Sequence, residues 1–296
     1  MERPPGRMVR VEGVTLHVLS EGAGPVCVLS GGLGMGWFDW DPVVPLLAEH
    51  RTVVRFDRPG LGFSAPSPEP PTAAGEADRI AGVLDALGLP GPATVVGHSL
   101  AAFHAEAFAR LHPDRTDGVV LVDGSVEEDP SPGPARELRT AAARARGRAI
   151  TAAGLPRALG PMLRRLTVRA TSVRRTDPAP DELLRRCYGS GRVARAILLE
   201  NARYFDVAAE LAVLREDYPL PPVPVAVLAA SHGNGSWFER RWLERQRRLA
   251  ERLDARFEAV APAGHLLMLD RPQAVADAVL AVSPARETDT SQAPGA

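Results

Sequence analysis

The first 123 residues alternate short β-branched runs with segments of helical spacing, and this alternation constrains the fold more than any other feature. The strand-like runs are short and almost entirely apolar, as in a sheet that is buried on both faces. They follow a hairpin around Gly13 and lie at residues 25–30, 52–57, 94–96 and 119–122. Strands that alternate with helices predict an α/β chain, with a mostly parallel sheet and helices on both faces.

The alternation stops after Asp123. Residues 126–215 show no convincing strand pattern and predict Arg-rich helices broken by Pro and Gly, at 137–148, 180–188 and 193–214. The alternation then resumes with a strand at 223–228, a helix, a short strand at 256–260 and a last helix at 272–282. We therefore expect a core formed by residues 1–125 and 216–283, an inserted helical cap at 126–215, and a disordered tail at 284–296.

Composition narrows the class of partner. The chain has 296 residues, 45% of them hydrophobic, which is enough for a sizeable core. Its formal net charge of -1 gives no support for nucleic acid or an acidic surface as partner. Residues 1–6 lack the apolar segment of a secretory signal, and no run of about 18 apolar residues could span a bilayer. We expect a cytoplasmic protein that acts on a small molecule, without nucleic acid or membrane partners; the oligomeric state stays open.

One serine directly follows a predicted strand and begins a helix, in the run Val95-Val96-Gly97-His98-Ser99-Leu100-Ala101. Such a tight turn exposes the hydroxyl at the carboxyl edge of the sheet, and it needs small residues two places before and after the serine. Gly97 meets this need, and Ala101 is still small although the usual residue there is Gly. Ser99 is therefore the predicted catalytic nucleophile, with a simple helix N-cap as the alternative.

A serine hydroxyl needs a base to act as a nucleophile at neutral pH. His265 is the predicted base, because it follows Gly264 on the loop after the last strand. His232, which also follows a strand, is the main rival. The remaining histidines lie in the hairpin, at helix ends, inside the serine turn or on the helix after it, at His17, His50, His112, His98 and His104.

Two positions compete for the acid that would orient the base. Asp123 ends the strand at 119–122, so its carboxylate is expected at the same sheet edge as Ser99. The second position follows the strand ending at Leu228, where Asn234 could accept a hydrogen bond but has no charge to stabilise an imidazolium. Asp123 is therefore the predicted acid, and a turn aspartate that caps the next residues is the alternative.

The loop Gly31-Gly32-Leu33-Gly34 is the candidate oxyanion-binding loop. A carbonyl attacked by Ser99 becomes an oxyanion, which needs fixed N–H donors. The backbone of Leu100 would supply one donor, and Gly32 or Leu33 the other, because glycines let this loop approach the substrate. The loop lacks the spacing and the Lys of a phosphate-binding loop. A purely structural turn is the alternative.

Three other groups of residues have a structural interpretation. Residues 57–64 form a Pro- and Gly-containing loop, in which Asp57 and Arg58 are expected to make structural hydrogen bonds. The Arg clusters of residues 126–215 and 240–248 predict solvated helix faces rather than a recognition patch. For the aromatic residues near the oxyanion loop, a pocket lining and an ordinary core position both stay open, at Trp37, Phe38 and Trp40.

Taken together, these segments resemble the α/β-hydrolase superfamily across about residues 8–283, in particular its capped esterases and haloperoxidases. The segments that carry the resemblance are 30–34, 57–64, 97–101, 121–124 and 264–265. It implies the α/β-hydrolase fold with an inserted helical cap, and a substrate pocket between the sheet edge and that cap.

The chain departs from this family's pattern in two places. Ser30 replaces the His that often begins the oxyanion loop, and no Asp follows the strand at 223–228, where the family commonly has its acid. Some members, including haloalkane dehalogenases and certain lipases, instead have the acid after the preceding strand, which Asp123 matches. Dehalogenases have Asp as nucleophile, so Ser99 argues against that activity.

The resemblance implies a hydrolase that acts through Ser99, His265 and Asp123 and an acyl-enzyme, with no metal or organic cofactor. Members of this kind cleave esters, lactones, thioesters or C–C bonds, or act as cofactor-free perhydrolases, and the fold does not choose among these reactions. We expect hydrolysis of a small or medium apolar ester. The alternatives are a perhydrolase, a lactone or C–C bond hydrolase, and a non-catalytic ligand-binding protein on the same fold.

Overall fold

The computed structural model describes residues 4–282, which form a single sheet of eight strands and the helices around it. The strands coincide closely with the apolar runs of the sequence. Their bounds are β1 Arg7–Val11, β2 Val14–Glu21, β3 Val26–Ser30, β4 Thr52–Phe56, β5 Ala93–His98, β6 Thr116–Val122, β7 Val225–Ala230 and β8 Arg256–Val260.

The strand order is β1-β2-β4-β3-β5-β6-β7-β8. β1 pairs with β2 and β2 with β4 in antiparallel fashion, while all pairs from β4 to β8 are parallel. In the parallel part Ser30 pairs with Gly97, and Gly97 with Leu121. The carboxyl ends of β3, β5 and β6 therefore lie side by side, and the residues that follow them share one edge of the sheet.

Helices cover both faces of the sheet, as predicted. Neighbouring residues of a strand point to opposite faces, so Val95 belongs to one apolar cluster and Val96 to the other. The first cluster is closed by α2 (Ala73–Ala86), α3 (Ala101–Leu111) and α8 (Trp237–Arg252). The second is closed by α1 (Val44–Ala48), α9 (Leu267–Asp270) and α10 (Pro272–Val282). The fold class predicted from the sequence, α/β with a mostly parallel sheet, is confirmed.

The segment between β3 and β4 contains two short helices. A short 3-10 helix at Trp37–Trp40 precedes α1, which begins only at Val44. Asp41, between the two helices, accepts a hydrogen bond from Arg55 at 2.5 Å through its carboxylate. The aromatic side chains of this segment are buried and belong to apolar core clusters, at Trp37, Phe38 and Trp40.

Four helices lie between β6 and β7: α4 Arg136–Ala152, α5 Leu155–Thr171, α6 Asp181–Tyr188 and α7 Gly191–Asp217. The last part of α7 packs into the first core cluster through Val207, Leu211 and Leu214. A cap domain bounded at 126–215 stays a prediction. The predicted tail at 284–296 lies outside the described residues. No helix within residues 4–282 combines the length and the apolar character that crossing a membrane requires.

Candidate active site

Ser99 lies on a sharp turn between β5 and α3. Its φ is +52°, in the left-handed region that costs a non-glycine residue energy, and such strain is typical of functional sites. The turn brings the backbone of α3 so close that a Cβ at Gly97 would lie 2.3 Å from the carbonyl oxygen of Ala101. Glycine is therefore required at 97. Ala101 itself is fully buried, so the fold accommodates its methyl group.

His265 lies within hydrogen-bond distance of Ser99 and of Asp123. Its Nε2 is 3.0 Å from Ser99 Oγ, and its Nδ1 is 2.6 Å from Asp123 Oδ2. A proton on Nδ1 that is donated to the carboxylate leaves Nε2 free to accept the proton of the serine hydroxyl. The imidazole is partly open, with 38% of its side chain exposed, whereas the Asp123 side chain is 3% exposed.

The second oxygen of Asp123 is held by two donors. Oδ1 accepts hydrogen bonds from the backbone N–H of Ala230 at 2.8 Å and from the indole Nε1 of Trp242 at 2.9 Å. These bonds fix the plane of the carboxylate so that Oδ2 faces His265. Asn234, the alternative acid position, is exposed, and its side-chain oxygen accepts from the N–H of Ser236.

His98 contacts both the backbone and the ring of His265. Its Nε2–H donates to the carbonyl oxygen of His265 at 2.8 Å, and the two rings are 4.6 Å apart. Burial, together with the nearby imidazole of His265, holds the pKa of His98 well below its usual value, so this ring stays neutral. His232, the rival base, is exposed on the loop after β7.

The loop of His265 is tied to the end of α5 by Asp270. This carboxylate is 1% exposed and accepts from Gly264 N–H at 2.8 Å. It also accepts from the hydroxyl of Ser172 at 2.5 Å and from the N–H groups of the two residues that follow. A single buried acid thus joins the inserted helices to the residue that precedes the imidazole.

The glycine-rich loop after β3 lies directly against Ser99. A Cβ at Gly32 would be 2.9 Å from Ser99 Cβ and 2.8 Å from His98 Nδ1. The N–H of Gly32 already donates to the sulfur of Met35 at 3.2 Å. Within residues 4–282 the N–H groups of Leu33 and Leu100 donate to no protein group, which leaves these two as the free donors of the predicted three.

Arg58 fixes this loop, as its expected structural role requires. Its guanidinium donates to the carbonyl oxygens of Gly31 and, at 2.8 Å, Gly32. Glu200 of α7 accepts from Arg58 Nε at 2.8 Å and from Gly34 N–H at 2.8 Å. Burial alone would lower the pKa of Arg58, but the charge of Glu200 outweighs it and raises the pKa, so the guanidinium stays charged.

A cavity of about 560 Å³ opens above Ser99 and His265. Its walls come from the loop after β3 and from α5 and α7, and most of its lining is apolar, including Leu155, Leu159, Leu163, Val193, Ile197 and Leu198. The aromatic residues Trp37, Phe38 and Trp40 are not part of this lining, so their interpretation as core residues is the correct one.

Arg164 also lines the cavity, and its charge is already matched. It binds Asp39 and, at 2.8 Å, Asp177, and donates to the Tyr188 hydroxyl at 3.2 Å. Burial would lower the pKa of Arg164, but Asp39 and Asp177 raise it well above its usual value. The sequence predicted that the arginines of this segment are solvated. For Arg164 this prediction is wrong, because ion pairs with the Asp39 and Asp177 carboxylates hold its side chain in the interior.

Sequence reasoning missed two supporting residues, His98 and Trp242. The first stands inside the serine turn, a position that could have suggested a contact with the loop of His265. The indole of Trp242 on α8 carried no sequence signal, because its role depends on how α8 packs against β7 and β8. Among residues 4–282, no three His, Cys, Asp or Glu side chains are close enough to hold a metal ion.

Part of the chain is similar in sequence to known proteins. The chain is 40% identical over 104 residues to RutD of Caulobacter sp. (strain K31), and this match covers 35% of the chain and 38% of that protein. The name of that protein describes it provisionally as a carbamate hydrolase. The 2-hydroxy-6-oxo-2,4-heptadienoate hydrolase of Pseudomonas putida is 36% identical over 121 residues, 40% of this chain and 44% of its own length. The match therefore spans less than half the length of these curated relatives.

The similarity in structure extends over nearly the whole chain. The enol-lactonase of Burkholderia xenovorans LB400 superposes with a TM-score of 0.66 at 24% identity, covering 93% of this chain and 99% of that one. At this identity the likeness shows the fold alone. The model of the family described as "Alpha/beta hydrolase family" matches residues 27–278, most of the sequence. The chain therefore belongs to the alpha/beta hydrolase family.

Proposed function

We propose that this protein is a serine hydrolase that cleaves an uncharged, apolar carboxylic ester through an acyl-enzyme. The observation that carries the proposal is the continuous hydrogen-bonded series Ser99 Oγ, His265 and Asp123, with distances of 3.0 and 2.6 Å, at the base of an apolar cavity. A nucleophile, a base and an orienting acid in this order are what acyl transfer needs.

In the proposed reaction Ser99 Oγ attacks the ester carbonyl while His265 Nε2 takes its proton. The oxyanion accepts hydrogen bonds from the N–H groups of Leu33 and Leu100, with Gly32 supplying the close backbone approach. His265 then gives the proton to the leaving alcohol, and an acyl-Ser99 ester remains. Water attacks this ester with His265 again as base, and the acid and free serine are released.

The cavity favours a neutral acyl group. Two relatives have names that contain a keto-acid or dicarboxylic substrate: the 2-hydroxy-6-oxo-2,4-heptadienoate hydrolase of Pseudomonas putida and the 2-(acetamidomethylene)succinate hydrolase of Mesorhizobium japonicum. A bound carboxylate would need a cation, and Arg164 is already paired with Asp39 and Asp177. Burying an unpaired charge beside Val193 and Ile197, the less exposed part of the lining, would cost several kcal/mol.

This preference is tested with matched p-nitrophenyl esters. We expect the hexanoate ester to be hydrolysed with a kcat/KM at least about a hundredfold higher than the mono-ester of adipate, which has the same number of acyl carbons and a carboxylate in place of the terminal methyl group. Initial rates of p-nitrophenol release measure both, with the acetate ester as a short-chain reference. Equal values for hexanoate and adipate would contradict an uncharged substrate, and no hydrolysis of any ester would contradict the proposed reaction.

A second prediction concerns the oxyanion loop. Gly32→Ala is expected to lower kcat roughly a hundredfold or more, because the new Cβ would lie 2.8 and 2.9 Å from His98 and Ser99 and displace the donors. Gly91→Ala is the matched control, since a Cβ there meets nothing within 4 Å. Steady-state rates and the unfolding midpoint are measured for both. Unchanged kcat in folded Gly32→Ala would remove this loop from the mechanism.

A further inference from the structure

The net charge of the chain is close to zero, but its arginines and its acidic residues are unevenly distributed along the sequence. Residues 136–175, which comprise α4, α5 and the following loop, contain eleven arginines and one acidic residue, Glu137. This segment therefore has a formal charge of +10 in a chain whose total is -1. Eight of these arginines are exposed and form no ion pair with any residue from 4 to 282: Arg136, Arg144, Arg146, Arg148, Arg157, Arg169, Arg174 and Arg175.

The same segment exposes a row of large apolar side chains along α5. Leu155, Leu159, Met162, Leu163 and Leu166 are each between 39% and 54% exposed. Their spacing places them on one side of the helix, while Arg164 and Val168 on the other side are buried. We call this row the α5 apolar face. A helix with an exposed apolar face, set among arginines and without acidic residues of its own, has the pattern of a helix that lies in a lipid–water interface.

The α5 apolar face continues into the cavity above Ser99. Leu155, Leu159 and Leu163 are solvent-exposed and also line the cavity. Thr167 and Thr171, further along the same helix, lead from them towards His265. An apolar acyl group that moves from a lipid–water interface at α5 into the cavity would therefore contact these leucine side chains on its path to Ser99.

Other occupants of this surface fit less well. A second copy would bring a +10 segment against another +10 segment. Residues 283–296 contain no large apolar side chain that could cover the leucines. A nucleic acid would pair with the arginines and leave the α5 apolar face in water. The surface of an anionic phospholipid bilayer satisfies both parts at once, since its headgroups pair with arginine and its acyl boundary takes up leucine and methionine.

We propose that the α4–α5 segment binds the surface of anionic phospholipid membranes and that the cavity takes its ester substrate from this interface. The second half of the proposal rests on the proposed function, whereas binding itself does not. The protein would lie on the bilayer through α5, with the mouth of the cavity facing the lipid. Attraction to the headgroups weakens as salt screens the arginines.

The experiment is co-sedimentation of the full chain with phosphatidylcholine vesicles prepared with and without phosphatidylserine. We expect binding to the vesicles that contain phosphatidylserine and weaker binding at high salt. Arg157→Glu/Arg169→Glu should lower the partition coefficient at least about tenfold. Arg241→Glu/Arg252→Glu changes the net charge equally on exposed positions of α8 and should bind as the unmodified protein does.

The apolar contribution is tested with Met162→Ser/Leu166→Ser, two side chains that are exposed and do not line the cavity. This variant should also partition at least about tenfold more weakly. Phe205→Ser/Val213→Ser is the matched control, because these residues of α7 are 52% and 55% exposed. Hydrolysis of a water-soluble ester should be the same in all four variants.

Each part can fail independently. Equal partitioning of the two α5 variants and their controls would overturn the lipid surface, and so would binding to duplex DNA but not to vesicles. A dimer in solution that Met162→Ser/Leu166→Ser dissociates would assign the face to a second copy instead. If vesicles bind while no ester is hydrolysed, the proposed function falls and the membrane surface stands; the reverse result removes only the membrane surface.

Discussion

Ser99→Ala should lower kcat for p-nitrophenyl hexanoate by roughly 10⁴–10⁶-fold, the range in which loss of a serine nucleophile usually falls. The variant removes one oxygen from a residue that contacts His265 at 3.0 Å, and alanine keeps the Cβ that the strained turn already accommodates. The fold should therefore persist while the acyl-enzyme cannot form. Initial rates and the thermal unfolding midpoint together measure these two effects.

A covalent probe makes the same experiment independent of the substrate. A fluorophosphonate should label Ser99 in the unmodified protein and fail to label Ser99→Ala. Ser67→Ala is the control, because this serine lies outside the cavity above His265 and should keep both labelling and activity. Absence of labelling in the unmodified, folded protein would favour a ligand-binding protein on the hydrolase fold.

Asp123→Asn should reduce kcat about 10⁴-fold with little change in fold. The amide oxygen would remain at the Oδ1 position, because Ala230 N–H and Trp242 Nε1–H donate there. The amide NH₂ would then face His265 Nδ1 and donate to it. His265 would be forced into the tautomer with its proton on Nε2, so it could no longer accept the proton of Ser99.

Asn234→Asp is the matched test of the alternative acid position. The side chain of residue 234 is exposed and accepts from Ser236 N–H, so we expect a new carboxylate there to leave the rate unchanged. Rates at saturating ester across pH measure both variants. Activity of Asp123→Asn above one tenth of the original, or its recovery in the double variant with Asn234→Asp, would show that another group orients His265.

The sheet was predictable because its strands are apolar runs with sharp ends. The period of the side chains and the Gly and Pro residues between runs place β3 to β8 within a few residues of their observed bounds. α5 was not predicted, because Pro156, Gly160 and Pro161 interrupt a pattern that the chain nevertheless folds into one helix. Packing of Val168 and the ion pairs of Arg164 compensate there, and neither is visible in local sequence.

The residues of the candidate site were also only partly predictable from the sequence. Ser99, Asp123 and His265 could be proposed because each directly follows or shortly succeeds a strand, and parallel strands bring their carboxyl ends to one edge. Which donor remains free in the oxyanion loop could not be read from the sequence, since it depends on Met35 accepting from Gly32. The role of Trp242 likewise depends on the packing of α8 against β7 and β8, which brings the indole to Asp123.

The buried carboxylate of Asp270 also determines how the molecule opens. Because it accepts from Gly264 on one side and from Ser172 to Arg174 on the other, separating the two segments would take three of its four donors from a buried carboxylate. We therefore expect the end of α5 and the loop of His265 to open as one cooperative unit, with amide hydrogens that exchange together. Local opening of the inserted helices would withdraw the imidazole from Ser99 while the sheet is still intact, so inactivation by heat would precede global unfolding.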